Sequence, residues 1–288
     1  AITSLFTKGR GLALAVTLCG SGIASIITPR LTFTLIEAFG WRMAFAGVAA
    51  VWAVLTVPLI VAFFHGARDK ARKSPGPLLE TAPPDAWAQV LKGEILTRRF
   101  IQLTLAGFCF AVVVVPTITN LQPILANNGI APGTAASIAS LAGFASITGR
   151  LTIGFLLDRL PGRLIAAVSV WLPIAGSLVL ILNPGSFPAA TTAVLIFGLA
   201  LGAELDIMAY LASRYFSLKN FGMLFGTIGA FITLAGGTGP VFLNAVYDAT
   251  HSYHGALWGM IPLCLASSLL YLLLGSYPPP ELRRAAEV

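Results

Sequence analysis

The stretch PGTAASIASLAGFASITGRLTIGFLLDRLPGR, residues 132–163, joins a long apolar run to a short charged loop. The run from residue 132 to 157 contains one charged side chain, Arg150, and exceeds the roughly 20 apolar residues with which a helix crosses a bilayer. The loop then brings Asp158, Arg159 and Arg163 close together. This pattern predicts a membrane-spanning helix that ends in water.

The rest of the chain repeats the pattern. Of its 288 residues 57% are hydrophobic and 10% are charged, and the mean hydropathy is +0.86, well above that of a soluble domain. The sequence therefore predicts an all-α, multi-pass membrane protein. Eight spans are expected, at residues 11–38, 43–64, 100–126, 132–157, 164–182, 188–213, 221–247 and 257–276.

The placement of the basic residues explains the net charge of +7. If the N-terminus is cytoplasmic, eight spans return the C-terminus to the cytoplasm, and the outer loops keep only Arg42. That asymmetry is the positive-inside pattern. It predicts that both termini are cytoplasmic and that the basic residues face a lipid bilayer, with no nucleic-acid partner. The inner loops hold Lys8, Arg10, Arg68, Lys70, Arg72, Lys73, Lys92, Arg98, Arg99, Arg159, Arg163, Arg214, Lys219, Arg283 and Arg284.

A polar, proline-containing segment at residues 65–98 divides the chain and is predicted to be a cytoplasmic linker. Residues 1–64 precede it with two spans, residues 99–276 follow it with six, and residues 277–288 form a cytoplasmic tail. An internal repeat relates LFTKGRGLALAVTLCGSGIASIITPR, from Leu5, to YFSLKNFGMLFGTIGAFITLAGGTGP, from Tyr215. The first two spans are therefore expected to be the last third of a second six-helix unit.

The charged loop GFLLDRLPGR resembles the signature loop of the major facilitator superfamily, with one extra residue near Pro161. RGLALAVTLCGSG, GWRMAF and GAELDIMAYLASRYF resemble the bacterial branch close to monocarboxylate and oxalate/formate transporters. The resemblance implies helices 5 to 12 of a twelve-helix fold, incomplete at the N-terminus, in a bacterial inner (plasma) membrane. It also implies symport or antiport by alternating access. The matching loop positions are Gly154, Asp158, Arg159, Gly162 and Arg163.

Charged residues inside the predicted spans are candidates for function, since each costs about 2.5 to 3.5 kcal/mol to insert. Arg150 precedes Asp158, and Asp206 precedes Arg214, by the same number of residues, which places Arg150 and Asp206 at a similar depth of about 12 Å. An ion pair between Arg150 and either Asp206 or Glu204 is therefore predicted.

Glu204 and Asp206 point to nearly opposite faces of a helix because they are two residues apart. Asp206 shares a face with Tyr210 and Arg214. We hypothesise that Glu204 is the proton-binding carboxyl and that Asp206 is a structural or gating partner. The alternative is that both carboxylates only fix helix packing.

The planar fork of Arg150 suits a carboxylate substrate, and this residue is the predicted anion contact. Asn120, Gln122 and Tyr210 are predicted to bind substrate with it, the first two in a polar, proline-flanked part of their span. The similar monocarboxylate carriers often have an aspartate one turn before this arginine, where this chain has Ser146. Cytoplasmic gating is assigned to Gly154, Asp158, Arg159, Arg163 and Arg214, the alternative being a charged surface turn.

No motif points to a metal, a cofactor or an enzyme. DATHSYH, with Asp248, His251 and His254, has a weak metal-like spacing but no fourth ligand. The predicted function is secondary transport of a small organic anion, coupled to a proton or a counter-anion. The alternatives are a multidrug or other organic-solute exporter and an inactive truncated or scaffold membrane protein.

Overall fold

The structure, a computed structural model, describes residues 10–63, 91–217 and 220–277. Within these ranges the chain is helical and contains no strand. The elements are α1 (Arg10–Phe63), a π-helical turn (Leu91–Ile95), α2 (Arg98–Thr119), α3 (Leu121–Asn127), α4 (Pro132–Leu157), α5 (Gly162–Ser169), α6 (Trp171–Leu182), α7 (Phe187–Tyr215), α8 (Phe221–Thr250) and α9 (His254–Leu272).

Helix α1 consists of two antiparallel arms. Gly40 interrupts it with a φ of 76° and a ψ of 165°, a conformation that glycine adopts without steric cost. A Cβ at Gly47 would lie 3.1 Å from Leu35 Cδ1, whereas these residues would be about 18 Å apart on a straight helix. Arms 10–39 and 41–63 therefore form a hairpin that contains the first two predicted spans.

The prediction of an all-α membrane protein is confirmed. Seven helical segments in the described ranges are long and apolar enough to cross a membrane, and the first of them, Gly22–Ala62, includes most of both arms of the hairpin. The seven segments thus account for the eight predicted spans.

One of the predicted spans is not a continuous helix, which is a correction. The span 100–126 breaks at Asn120 into α2 and α3, whereas the span 164–182 forms one segment, Gly162–Leu182, with a single turn residue, Val170, between α5 and α6. Pro116 and Pro123 lie close to the break at Asn120. Proline lacks a backbone N–H and its ring clashes with the preceding turn, which favours interruption there.

The linker predicted at residues 65–98 lies mostly outside the described residues, which resume at Leu91. Thr97 caps α2, since its hydroxyl accepts a hydrogen bond from Phe100 N at 3.3 Å. Helix α2 therefore begins at Arg98. The tail predicted at residues 277–288 is described only at Tyr277.

Helix α4 packs against both the first arm of α1 and α7, and glycines make the contacts close. A Cβ at Gly143 would lie 2.5 Å from Ile26 N, and one at Gly149 would lie 2.5 Å from Leu199 O. Small residues allow helix backbones to approach in this way in membranes. This packing brings the charged residues of α4 and α7 together.

We expect Gly198→Ala to destabilise the protein by about 1–3 kcal/mol, because the added Cβ would lie 2.5 Å from Ala142 O and 2.7 Å from Ala145 Cβ. The control is Gly259→Ala in α9, where a Cβ meets no atom within 4 Å. The control should be neutral or stabilising by up to about 1 kcal/mol. Thermal unfolding of the purified variants in detergent measures both. Equal unfolding temperatures would contradict the close α4–α7 packing.

Candidate functional site

An ion pair joins α4 to α7 inside the bundle. Arg150 Nη1 donates to Asp206 Oδ1 at 3.1 Å, and the two side chains are only 3% and 1% exposed. The sequence predicted either Asp206 or Glu204 as the partner of Arg150. In the structure the partner is Asp206. Because both charges are buried, removal of one would leave the other buried without its partner in the pair, at a cost of about 3–5 kcal/mol.

Glu204 is also buried, with 2% of its surface exposed, but its surroundings differ. Its Oε1 has no hydrogen-bond partner among the described residues. Arg150 and Tyr271, the latter on α9, both lie close enough to interact with it electrostatically. Asp206 thus faces α4 and is held there through Oδ1, whereas neither Asp206 Oδ2 nor Glu204 Oε1 has a hydrogen-bond partner among the described residues.

A cavity of about 660 Å³ lies between the first arm of α1 and the six-helix unit. It is closer to the end of the bundle that carries Asn127, Ser186 and His254, called here the distal end. Its polar lining comes from Thr28, Thr32, Thr119 and Gln122. The remaining lining residues are Ala24, Pro29, Phe33, Ile36, Ile118, Leu121, Ala139, Ala142 and Leu201.

A second space, of about 450 Å³, opens at the opposite end, which carries Arg98, Arg159 and Arg214 and is called here the basic end. We call this space the basic recess. Four of the predicted gating residues line it, whereas Gly154 is buried within α4. The lining residues are Leu157, Asp158, Arg159, Leu160, Pro161, Arg163, Tyr210, Arg214, Gly275, Ser276 and Tyr277.

The ion pair lies between the cavity and the basic recess. Along α7, Leu201 lines the cavity, Asp206 forms the pair and Tyr210 lines the recess. Along α4, Ala142 lines the cavity and Leu157 the recess, with Arg150 between them. The pair therefore lies, along the direction of these helices, at a depth between the cavity and the basic recess.

The four predicted substrate-binding residues do not share one surface. Gln122 lines the cavity, and Arg150 lies beyond it toward the basic end. Asn120 stabilises the break after α2, since its Nδ2 donates to Pro116 O at 3.0 Å and to Thr119 Oγ1 at 3.3 Å. Tyr210 lines the basic recess rather than the cavity.

The first arm of α1 contributes to the cavity, which was not predicted from the sequence. Thr28, Thr32 and Phe33 line it from the first arm. The two threonines are one turn apart and therefore lie on one helix face. This spacing is the sequence feature that could have indicated a polar face on α1. Only the packing of that arm on α4 shows that the face meets a cavity.

Glu94 was missed as well. Its Oε1 accepts from Asn220 Nδ2 at 2.7 Å and its Oε2 from Ser217 N at 3.4 Å, so it ties the turn before α2 to the loop between α7 and α8. Its partners are more than 120 residues away in sequence. No local pattern predicts such a contact.

The described residues contain no group of three or more His, Cys, Asp and Glu side chains arranged to hold a metal ion. In DATHSYH, a ring nitrogen of His254 lies 3.3 Å from Asn128 Oδ1, and the carbonyl of His251 accepts from Asn127 Nδ2 at 3.2 Å. These contacts tie the loops of the distal end together.

The family model described as Major Facilitator Superfamily matches residues 1–203 and, in a second alignment, residues 103–288. The two alignments together cover the whole chain. The chain belongs to the Major Facilitator Superfamily. Members of this superfamily are multi-pass membrane transporters, so the resemblance of the signature loop is confirmed at the level of the superfamily.

Curated relatives carry transporter names at low identity. An "MFS-type transporter" of Gibberella moniliformis is 25% identical over 88% of this chain and 58% of its own length. "Monocarboxylate transporter 13" of Rattus norvegicus is 29% identical over 70% of this chain and 44% of its own length. "Uncharacterized transporter YycB" of Bacillus subtilis is 25% identical over 81% and 54%. The chain spans about half the length of the superfamily relatives it matches.

Proposed function

We propose that this chain belongs to a secondary active transporter that carries a small organic anion of the monocarboxylate type. The observation that carries the proposal is the buried Arg150–Asp206 pair, with Glu204 beside it, between a cavity and the basic recess. Transport is driven by a proton or by exchange with a counter-anion, and the basic end faces the cytoplasm of a bacterial cell.

The mechanism begins with competition for Arg150. A carboxylate that enters from the cavity offers the guanidinium a second acceptor of the same chemistry as Asp206. If the substrate takes over part of this interaction, the α4–α7 contact weakens, and the bundle rocks so that the site opens toward the basic end. Glu204 accepts a proton in the same step. The negative charge that the substrate adds is thereby offset, and the net charge of the buried site stays constant.

The names of several relatives support the substrate class. Proteins named monocarboxylate transporter 13, from Rattus norvegicus and Bos taurus, are 29% and 23% identical to this chain. The resemblance to monocarboxylate carriers implies an aspartate one turn before the arginine, but this chain has Ser146 there. We therefore assign the carboxylate of the proton step to Glu204 on α7.

A second candidate function is export of an organic cation or a drug-like solute. It is favoured by the excess of carboxylates at the centre, where Glu204 and Asp206 outnumber the single guanidinium of Arg150. In that case the carboxylates bind the solute and Arg150 only balances them. The sign of the charge on the transported solute distinguishes the two functions.

Uptake by the full-length protein in proteoliposomes tests the proposal. Labelled lactate, pyruvate, oxalate and an organic cation are offered separately, with and without an inwardly directed proton gradient. We expect uptake of a monocarboxylate and inhibition by unlabelled monocarboxylates but not by the cation. Uptake of the cation alone would favour the exporter. No uptake of any solute would favour a membrane protein without transport activity.

A further inference from the structure

The basic recess has an excess of positive charge. Arg159, Arg163 and Arg214 contribute three guanidinium groups to its lining, against the single carboxylate of Asp158. Arg159 Cζ lies 4.0 Å from the centre of the Phe155 ring, so this cation extends along the outer rim. Such a cationic concavity attracts an anion.

Arg214 packs against two aromatic rings of the recess. It leaves the last turn of α7, and its Cζ lies 4.8 Å from the Tyr277 ring and 6.0 Å from the Tyr210 ring. Stacking against aromatic rings fixes the plane of the guanidinium. Its Nε is buried and has no hydrogen-bond partner among the described residues. A buried donor in this position requires an oxygen acceptor.

The walls of the recess are held by hydrogen bonds. Gly162 N donates to Tyr277 Oη at 2.9 Å, and Tyr215 Oη donates to Gly275 O at 2.7 Å. A Cβ at Gly162 would lie 2.7 Å from Tyr277 Oη, so a larger residue there would displace the Tyr277 side chain. The same contacts place the N-terminal end of α5, with its positive dipole, at the recess.

Apolar side chains next to the recess face outward. Leu160 and Leu164 are exposed beside Arg159 and Arg163, and Leu272 and Leu273 are exposed at the end of α9. In a membrane protein such an outer surface contacts lipid chains. The recess therefore combines cations with an adjoining apolar surface, at the level where the bundle leaves the membrane.

We propose that the basic recess binds the phosphate group of an anionic phospholipid in the cytoplasmic leaflet. The phosphate oxygens accept from Arg214 Nε and from the guanidinium of Arg163, and the acyl chains lie along the exposed leucines of α5 and α9. This binding is independent of the substrate, since the recess and the Arg150–Asp206 pair share no residue.

Lipid titration of the full-length protein in detergent tests the site. Bound phosphatidylglycerol and phosphatidylcholine are counted by native mass spectrometry, and the unfolding temperature is followed in parallel. We expect the wild-type protein to bind phosphatidylglycerol about tenfold or more tightly than phosphatidylcholine, and Arg214→Gln to abolish this preference. Arg98→Gln, which removes an exposed cation at the same end but outside the recess, should retain it.

Three results would overturn the proposal. Equal binding of both lipids by the wild-type protein would show that the protein has no preference for an anionic lipid. If Arg98→Gln and Arg214→Gln lost the lipid preference equally, the preference would come from the general positive charge of the basic end and not from the recess. Inorganic phosphate that displaces phosphatidylglycerol and raises the unfolding temperature as much as the lipid would assign the recess to a soluble phosphate. If Arg214→Gln does not fold, Arg163→Gln and Arg214→Lys replace it, and each should weaken the preference several-fold.

Discussion

Replacement of Arg150 by glutamine is expected to lower carboxylate uptake by about 100-fold, because the charged hydrogen-bond donor to the substrate is lost. The same change leaves Asp206, which is 1% exposed, without its cation. A buried carboxylate that loses its partner destabilises the fold by about 3–5 kcal/mol. Uptake in proteoliposomes and thermal unfolding in detergent measure the two effects separately.

A double variant separates the role in transport from the role in folding. Arg150→Gln combined with Asp206→Asn removes both charges of the pair, so most of the lost stability should return, provided that the buried Glu204 carries a proton in the variant. Uptake should stay about 100-fold below wild type, because no guanidinium is available for the substrate. Recovery of uptake together with stability would show that Arg150 serves helix packing alone.

Glu204→Gln is expected to abolish accumulation driven by a proton gradient. If one proton moves with each substrate, a gradient of one pH unit supports about tenfold accumulation, equivalent to about 1.4 kcal/mol. The variant should reach no more than equal concentrations inside and outside. Exchange of labelled for unlabelled substrate should continue, because the amide occupies the volume of the carboxyl and Arg150 keeps its Asp206 partner.

The control for Glu204 is Glu37→Gln, which neutralises an exposed carboxylate on the first arm of α1. It should accumulate substrate like the wild-type protein. Proton-driven accumulation by Glu204→Gln at the wild-type level would contradict the assignment of the proton step. Loss of exchange as well as accumulation would instead place Glu204 in substrate binding or in folding.

Much of the fold was predictable because each membrane helix satisfies its own backbone hydrogen bonds, so its existence depends on a local run of apolar residues. The run from residue 132 to 157 matches α4, Pro132–Leu157, at both ends. The break at Asn120 was not predicted. Whether a proline bends or interrupts a helix depends on which neighbours hold the freed carbonyls, and these neighbours are distant in sequence.

The site was predictable in part for a related reason. Equal spacing from the ends of two helices placed Arg150 and Asp206 at one depth, but depth alone did not distinguish Asp206 from Glu204. The rotation of α7 against α4 made that choice, through the contact of Gly202 with the backbone at Ser146 and Arg150. The cavity face of Thr28 and Thr32 and the contact of Glu94 with Asn220 depend equally on packing between distant segments.

The sequence by itself determined the membrane class, the superfamily and the identity of the buried charges, because hydropathy, the signature loop and isolated ionisable residues are local properties. The tertiary structure alone decided which carboxylate Arg150 binds, that Glu204 is buried beside the pair, and that the pair lies at a depth between the cavity and the basic recess. These features depend on how helices rotate and approach one another. Close backbone contact at glycines sets that geometry, and no single helix encodes it.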